Sequence, residues 1–318
     1  MNALNCKSAL MALALAASGA SALAATAPAA AVAPAPAPAA SAPTADEIVA
    51  RSPASDWHAV APDEVLQMTL PQGQVYIQLA PRFAPRHVAN IRTLAHEGYF
   101  NGLSILRVQD NYVTQWGDPH GDEPEAKPLG AADTHLPAEF SIAYHGIPFD
   151  AIKERDGWSP VSGYVDSFPA AADPNRNQAW LAHCYGAVGA ARNAAPDTSN
   201  GTDLYAVIGQ APRALDLNIT LVGRVLRGMD LLSALQRGSA TLGFYDKPEQ
   251  LIELQRVVLL SDLPEAERPK VEVLNTESAT WRALLRAKRH RSGWFVRSPE
   301  RVDLCGIVPP ARVTAAAQ

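Results

Sequence analysis

The chain has 318 residues, 47% of them hydrophobic and 19% charged. That is enough apolar side chain for a sizeable core, and it excludes a disordered or fibrous chain. Twenty-seven basic against 32 acidic residues give a net charge of −5, the wrong sign for a protein that wraps nucleic acid. Three cysteines with no CxxC pair exclude both a disulfide framework and a CxxC-type redox or metal centre.

In chain order, Lys7 precedes an apolar run from Ala9 to Ala17, and Ala22-Leu23-Ala24 offers a small-residue cleavage site before Ala25. This three-part pattern predicts a secretory leader over 1–24 and an exported, periplasmic product. No other apolar run approaches the ~20 residues of a membrane-spanning helix, so no integral membrane segment is expected after cleavage. Residues 25–43 are almost only Ala and Pro and read as a stiff polyproline-II tether. Thr44-Ala45-Asp46-Glu47 has the form of a capping box and opens a short helix within a lead-in over 44–64. Leader removal takes Cys6 away; Cys184 and Cys305 then either pair or stay as two buried thiols, and their spacing does not decide between these.

Leu66, Met68 and Leu70 alternate with polar residues, Pro71-Gln72-Gly73 turns the chain, and Val75, Ile77 and Leu79 alternate again. These predict a hairpin with one buried face. Pro85 opens a helix carrying Val88, Ile91, Leu94 and Ala95 on one side, and Gly98 ends it. Further strands are predicted over 105–109, 113–117, 187–191, 204–208, 220–225 and 252–260, with a second short helix over 228–235. Many short strands with two helices, in an order that is not β-α-β-α, predict a mainly β chain. The expected architecture is a closed antiparallel β-barrel of about eight strands capped by two helices. The stretch 119–182 has few periodic segments and reads as either a functional loop or an inserted substructure. The tail carries an amphipathic helix around Glu277 to Arg289, with Trp281, Leu284 and Leu285 on its apolar side, and is expected to dock on the barrel.

The segment Ile105-Leu106-Arg107-Val108-Gln109-Asp110-Asn111-Tyr112-Val113-Thr114-Gln115-Trp116-Gly117-Asp118 is the most informative. Period-2 alternation puts Arg107 on one face with Ile105 and Gln109, and Val113 with Gln115. A hairpin then sets Gln115 beside Arg107. On these residues alone a surface ion pair explains Arg107 slightly better than a functional cation does.

The same segment resembles the signature of the cyclophilin-type peptidyl-prolyl cis-trans isomerases, with Arg107 on the signature arginine, Tyr112 on its phenylalanine, Val113 on its methionine and Gln115 on its glutamine. Pro71-Gln72-Gly73, Ala84 to Asn90 and Glu97-Gly98-Tyr99-Phe100 are similar to the family's first hairpin, helix and following turn. Gly186 to Arg192, Ser199 to Tyr205 and Leu221-Val222-Gly223-Arg224-Val225 resemble later strands. The similarity runs roughly over 65–118 and 183–260. It implies a cyclophilin-like domain over 65–262 carrying the insertion 119–182, followed by a C-terminal extension over 263–318.

The resemblance implies a prolyl isomerase that works on proline-containing polypeptides and assists folding of exported proteins, without cofactor or metal. Arg107 stabilises the twisted imide and Gln115 positions it. Tyr112, Val113, Tyr205 and Leu215 wall the proline pocket, Asp203 lines the substrate groove, and backbone groups near Ala191 and Arg192 hold the preceding peptide. The chain departs from the family pattern at Asp203-Leu204-Tyr205, where the family has Gln-Phe-Phe, and at Trp116, Ala214 and Ile219. The alternative is a cyclophilin-like module that binds proline peptides or scaffolds a complex without catalysis.

Other motifs weigh less. Gly117 to Glu123 gathers carboxylates and an imidazole without metal-ligand spacing. The run Arg286-Ala287-Lys288-Arg289-His290-Arg291 suits a helix C-terminus, and its charge also suits anionic lipid or nucleic acid. Asn200-Gly201-Thr202 and Asn218-Ile219-Thr220 are formal glycosylation sites, expected bare in a chain with a bacterial-looking leader. Ser, His and Asp occur, but no nucleophile-elbow motif sets them as a triad.

Overall fold

Residues 42–314 are described in a computed structural model. The expected leader, Cys6 and the tether up to residue 41 lie outside the described residues. From Ser41 onward the chain forms one unit.

Helix α1 (Ala45–Ala50) starts at Thr44. The Thr44 hydroxyl accepts from the Glu47 N–H at 3.2 Å, and the Glu47 carboxylate accepts from the Thr44 N–H at 2.8 Å, which is the capping box read from the sequence. Strands β1 (Trp57–Ala59), β2 (Val65–Leu70) and β3 (Gly73–Leu79) precede helix α2 (Pro85–His96), and β4 (Ser104–Val108) and β5 (Val113–Gly117) follow it. The insertion supplies β6 (Asp150–Ala151), β7 (Val161–Val165), β8 (Phe168–Asp173) and β9 (Gln178–Leu181). Next come β10 (Ala187–Ala190), β11 (Leu204–Val207), β12 (Leu221–Arg227), helix α3 (Met229–Ala234), β13 (Ile252–Glu253) and β14 (Arg256–Leu259). The tail adds β15 (Lys270–Leu274), helix α4 (Ala279–Arg289) and β16 (Ala311–Thr314).

The main sheet has nine antiparallel strands in the order β13-β4-β5-β11-β10-β12-β3-β2-β14. The mainly β, antiparallel architecture is as expected, but the barrel is open rather than closed. The single strand expected over 252–260 breaks into two, β13 pairing with β4 and β14 with β2. Between them the Leu254 N–H donates to Leu103 and the Gln255 N–H to Thr69. One kinked segment therefore spans the seam where a ladder between β4 and β2 would have closed the sheet.

Val88, Ile91 and Leu94 of α2, Leu232 of α3, and Leu66, Met68, Ile77, Leu79, Ile105 and Trp116 of the sheet share one core. Each such side chain contributes about 1.5–3 kcal/mol by burial. The hairpin β2–β3 buries both of its faces, not one. Tyr76, on the face expected to be wet, packs with Val60, Leu260, Val271 and Val273, because the three-stranded sheet β1-β15-β16 lies over it.

The insertion is a substructure, a four-stranded sheet in the order β6-β7-β8-β9. Its strands left little trace in the sequence because β8 reads Phe-Pro-Ala-Ala-Ala-Asp, with Pro and Ala where strands favour β-branched residues. The tail docks against it: Tyr164 meets Trp281 of α4 edge to face, with ring centroids 4.9 Å apart. Helix α4 begins two residues later than expected, since the Ser278 hydroxyl accepts from the Trp281 N–H and caps it. Cys184 and Cys305 pair, with their Cα atoms 4.8 Å apart, which settles the open alternative and pins the tail beside β10. Among the described residues no helix is long and apolar enough to cross a membrane.

Candidate active site

The β4–β5 hairpin aims the signature arginine. Its register runs Ile105 opposite Trp116, then Arg107 opposite Gln115, with Leu106 as the extra residue of a bulge. Strict alternation, which would group Arg107 with Ile105, does not hold here. Ile105 and Trp116 are buried in the core, while Leu106 and Arg107 both line a cleft on the other face. A bulge re-aims one side chain at the cost of one ladder bond, and here it saves a cation from the barrel interior.

Arg107 is half-buried and held by three donations. Its Nε donates to the Leu242 carbonyl at 2.7 Å, Nη1 to Gln115 Oε1 at 3.2 Å, and Nη2 to Gln109 Oε1. The guanidinium lies 5.2 Å from the Phe244 ring centroid and 5.6 Å from that of Tyr112. Burial pulls its pKa below the usual arginine value, with Tyr112 opposing, yet a guanidinium stays charged at neutral pH. Of its five N–H groups these bonds use three, and the other two have no hydrogen-bond partner among the described residues. No motif or periodicity pointed to Leu242 and Phe244. They arrive because the segment after α3 folds along the β4 edge, where the Tyr245 N–H donates to Leu106 and the Gly238 N–H to Val108.

The cleft encloses about 1330 Å³, and all nine residues singled out from the sequence line it: Arg107, Gln115, Tyr112, Val113, Ala191, Arg192, Asp203, Tyr205 and Leu215. Ile219 also lines it. Trp116 faces the core instead, so its replacement of a family glycine leaves the cleft floor alone. Ala214 is exposed and outside the lining. The Ala191 N–H is engaged inward, donating to the Asp203 carbonyl at 2.9 Å, so it is not a group that could hold a peptide. Among the described residues the Ala191 carbonyl and the Arg192 N–H make no backbone bond. The Arg192 guanidinium is spent on the carbonyls of Asn193, Ala194 and Asn218.

Along β5 the lining changes character. At the Val113 end, Val113 and Tyr205 belong to an apolar cluster with Tyr112 and Ile219 at its edge. Tyr205 is buried flat across Gly189, its register partner; a Cβ there would sit 2.3 Å from the ring, so only glycine lets the ring lie down. The Tyr205 hydroxyl meets His183 Nε2 at 3.0 Å, and His183 Nδ1 meets Asp216 Oδ1 at 2.9 Å. A carboxylate only accepts, so Nδ1 carries the proton and, in the neutral ring, Nε2 accepts from the tyrosine. Burial would raise the Asp216 pKa, but bonding to His183 and the Arg213 charge outweigh it and hold the carboxyl below its usual range. Arg213 also reaches Asp156 of the insertion at 2.6 Å. The sequence did not reveal this chain, because its members are scattered over 156–216.

At the Gly117 end the lining turns acidic. The Asp203 carboxylate lies over Gly117, where a Cβ would come within 2.0 Å of Oδ1. Burial and the nearby charges of Asp122 and Asp118 push the Asp203 pKa up from 3.8 to about 6, while Thr202 and Gln115 pull it back. Of the Gly117–Glu123 cluster, His120 is exposed and spent on Glu123 at 2.8 Å, and among the described residues no three His, Cys, Asp or Glu gather to hold a metal.

Comparison with known proteins agrees with this geometry. A family profile described as "Cyclophilin type peptidyl-prolyl cis-trans isomerase/CLD" matches residues 65–258. A "Probable peptidyl-prolyl cis-trans isomerase" of Brucella suis biovar 1 (strain 1330) is 28% identical over 196 residues, which are 61% of this chain and 83% of that one. "Peptidyl-prolyl cis-trans isomerase B" of Bacillus subtilis (strain 168) is 34% identical over 80 residues, 23% of this chain and 56% of that one. The crystal structure of cyclophilin AquaCyp293 from Hirschia baltica shares the fold with a TM-score of 0.67 at 24% identity, covering 87% of this chain and 100% of that one. The profile spans the main sheet from β2 into β14, more than half of all residues, and the chain belongs to the cyclophilin-type peptidyl-prolyl cis-trans isomerase family.

Proposed function

We propose that this chain isomerises X-Pro bonds in exported polypeptides, in the periplasm, with Arg107 as the catalytic cation. The imide barrier of ~18–20 kcal/mol comes from amide resonance. Twisting the bond returns the lone pair to the proline nitrogen, and a guanidinium N–H aimed there is accepted only in the twisted state. Such an interaction lowers the barrier instead of merely tightening binding. The observation that carries this reading is Arg107 itself, fixed on three sides with two N–H groups free, beside the apolar lining of Tyr112, Val113, Tyr205, Leu215 and Ile219. Gln115 fixes the guanidinium, and Asp203 and the Ala191–Arg192 backbone border the remainder of the polypeptide path.

The test is a protease-coupled assay on a proline peptide with the chain beginning at Ala25. The parent accelerates isomerisation, and Arg107→Ala lowers kcat/KM by roughly 10²-fold, the cost of one transition-state donor, with peptide binding largely kept. Arg107→Lys does not restore the rate, because an ammonium lacks the planar fork that Gln115, Gln109 and Leu242 hold. No rate above background in the parent, with peptide still bound, would establish the non-catalytic binding module, a reading favoured by Asp203 standing where the family has Gln. Export is checked by fractionation of expressing cells and by a mature N-terminus at Ala25.

A further inference from the structure

Helix α4 ends in Arg286, Lys288 and Arg289, and the chain continues Arg291-Ser292-Gly293-Trp294-Phe295-Val296-Arg297. The Ser298 hydroxyl donates to the Arg289 carbonyl at 3.0 Å and closes the base of this loop. Arg289 is itself pinned to Glu154 of the insertion by two donations. The base of the loop is therefore tied to both the helix and the insertion. At the loop tip Trp294 is 88% exposed, Val296 is 104% exposed and Phe295 is 38% exposed. The two rings meet edge to face at 5.4 Å, and the Arg291 guanidinium lies 5.0 Å from the Phe295 centroid.

Single exposed apolar residues are ordinary; three in a row at one tip, two of them almost wholly in water, mark a contact surface. The charge around them has one sign. Arg286, Lys288, Arg291, Arg297 and Arg301 are not consumed by ion pairs among the described residues, and Glu300 is the only acid between 286 and 301. This occurs in a chain whose net charge is −5.

We propose that this loop docks the protein peripherally on an anionic phospholipid surface. Trp294, Phe295 and Val296 enter the headgroup layer, and the flanking Arg291 and Arg297 lie against the lipid phosphates. Two features on one tip select a lipid. Aromatic rings favour the membrane interface, and basic residues beside them are drawn to anionic headgroups. A nucleic-acid backbone would satisfy the arginines and leave Val296 in water. The inference does not depend on the isomerase reading.

Vesicle co-sedimentation tests it, using the chain from Ala25, which keeps the whole described unit. Vesicles of phosphatidylcholine alone are compared with vesicles carrying about one-third phosphatidylglycerol, at about 0.1 M salt. The expected result is at least about tenfold stronger binding to the anionic vesicles. Arg291→Glu with Arg297→Glu removes most of that gain, since each cation at such a surface is worth about fivefold. Trp294→Ser with Val296→Ser also removes it, and this pair leaves the melting curve unchanged because both side chains are exposed. Trp294→Phe keeps binding but abolishes a blue shift of emission on anionic vesicles. Equal binding to the two vesicle types overturns the proposal, as does binding that survives both pairs or a blue shift that persists in Trp294→Phe. Retention on duplex DNA at the same salt without vesicle binding overturns it in favour of nucleic acid.

Discussion

Asp203 is a carboxylate in a site that disfavours its charge, so Asp203→Asn should stabilise the protein, and only above mildly acidic pH. Its pKa in the folded chain is about 6 against an ordinary 3.8, through burial first and then the charges of Asp122 and Asp118. A raised pKa means that the folded state binds the proton more tightly. The stabilising contribution is complete below pH ~4 and is lost as pH rises through ~6. The difference of about 2 pKa units corresponds to a cost of about 3 kcal/mol at neutral pH. Asparagine keeps the shape over Gly117 and cannot ionise. In urea or thermal melts the variant should match the parent near pH 4, gain progressively to pH ~7 and stay level above it. At just under about 2 °C per kcal/mol for a folded unit of this size, the plateau is a rise in Tm of several degrees. A gain of equal size at every pH would refute the reasoning, because it would come from packing and not from charge. A loss at neutral pH would refute it as well.

Three further perturbations test the pocket and its supports. Gly189→Ala drives a Cβ to 2.3 Å from the Tyr205 ring, so it should raise KM for a proline peptide several-fold and cost roughly 1–3 kcal/mol of stability by overpacking, read by initial rates and urea melts. His183→Ala strands the buried Tyr205 hydroxyl and should cost about 1–3 kcal/mol; in a Tyr205→Phe background the same change should cost clearly less, and equal costs in both backgrounds would show no coupling. Cys184→Ser with Cys305→Ser opens a loop of 121 residues, for which chain entropy gives about 4–5 kcal/mol; the parent with reductant should melt like the variant, and reductant should not affect the variant.

What the sequence revealed depended on how local the determining physics was. The capping box at Thr44, the β2–β3 hairpin, the proline at the start of α2 and the pairing of Arg107 with Gln115 are set within a few residues, and each was readable. The nine cleft residues were readable through the family resemblance, which supplied an order that periodicity alone did not. Relations between distant segments stayed hidden. The bulge at Leu106 cannot be seen in an alternating pattern, because a bulge is where the pattern slips by one. The open seam depends on a kink at Leu254–Gln255 inside an apparently continuous apolar run. The insertion sheet was invisible because alanines serve as strand residues only once both faces are covered.

Those hidden relations bear on how this chain accommodates its departure from the family at Tyr205. A phenylalanine in that place needs nothing behind it, whereas a tyrosine brings a hydroxyl into a buried wall and must find a partner or cost about 1–3 kcal/mol. His183 supplies the partner, Asp216 fixes the histidine, and Arg213 neutralises the aspartate while reaching Asp156 in the insertion. The residue after His183 is Cys184, bonded to Cys305 in the tail. The wall of the cleft is thereby anchored to the two parts of the chain, insertion and extension, that lie outside the similarity first read from the sequence. Deleting the β6–β9 sheet alone should disturb the pocket before it disturbs the barrel, because the main-sheet core around Ile91, Ile105 and Trp116 contains no residue from β6 to β9.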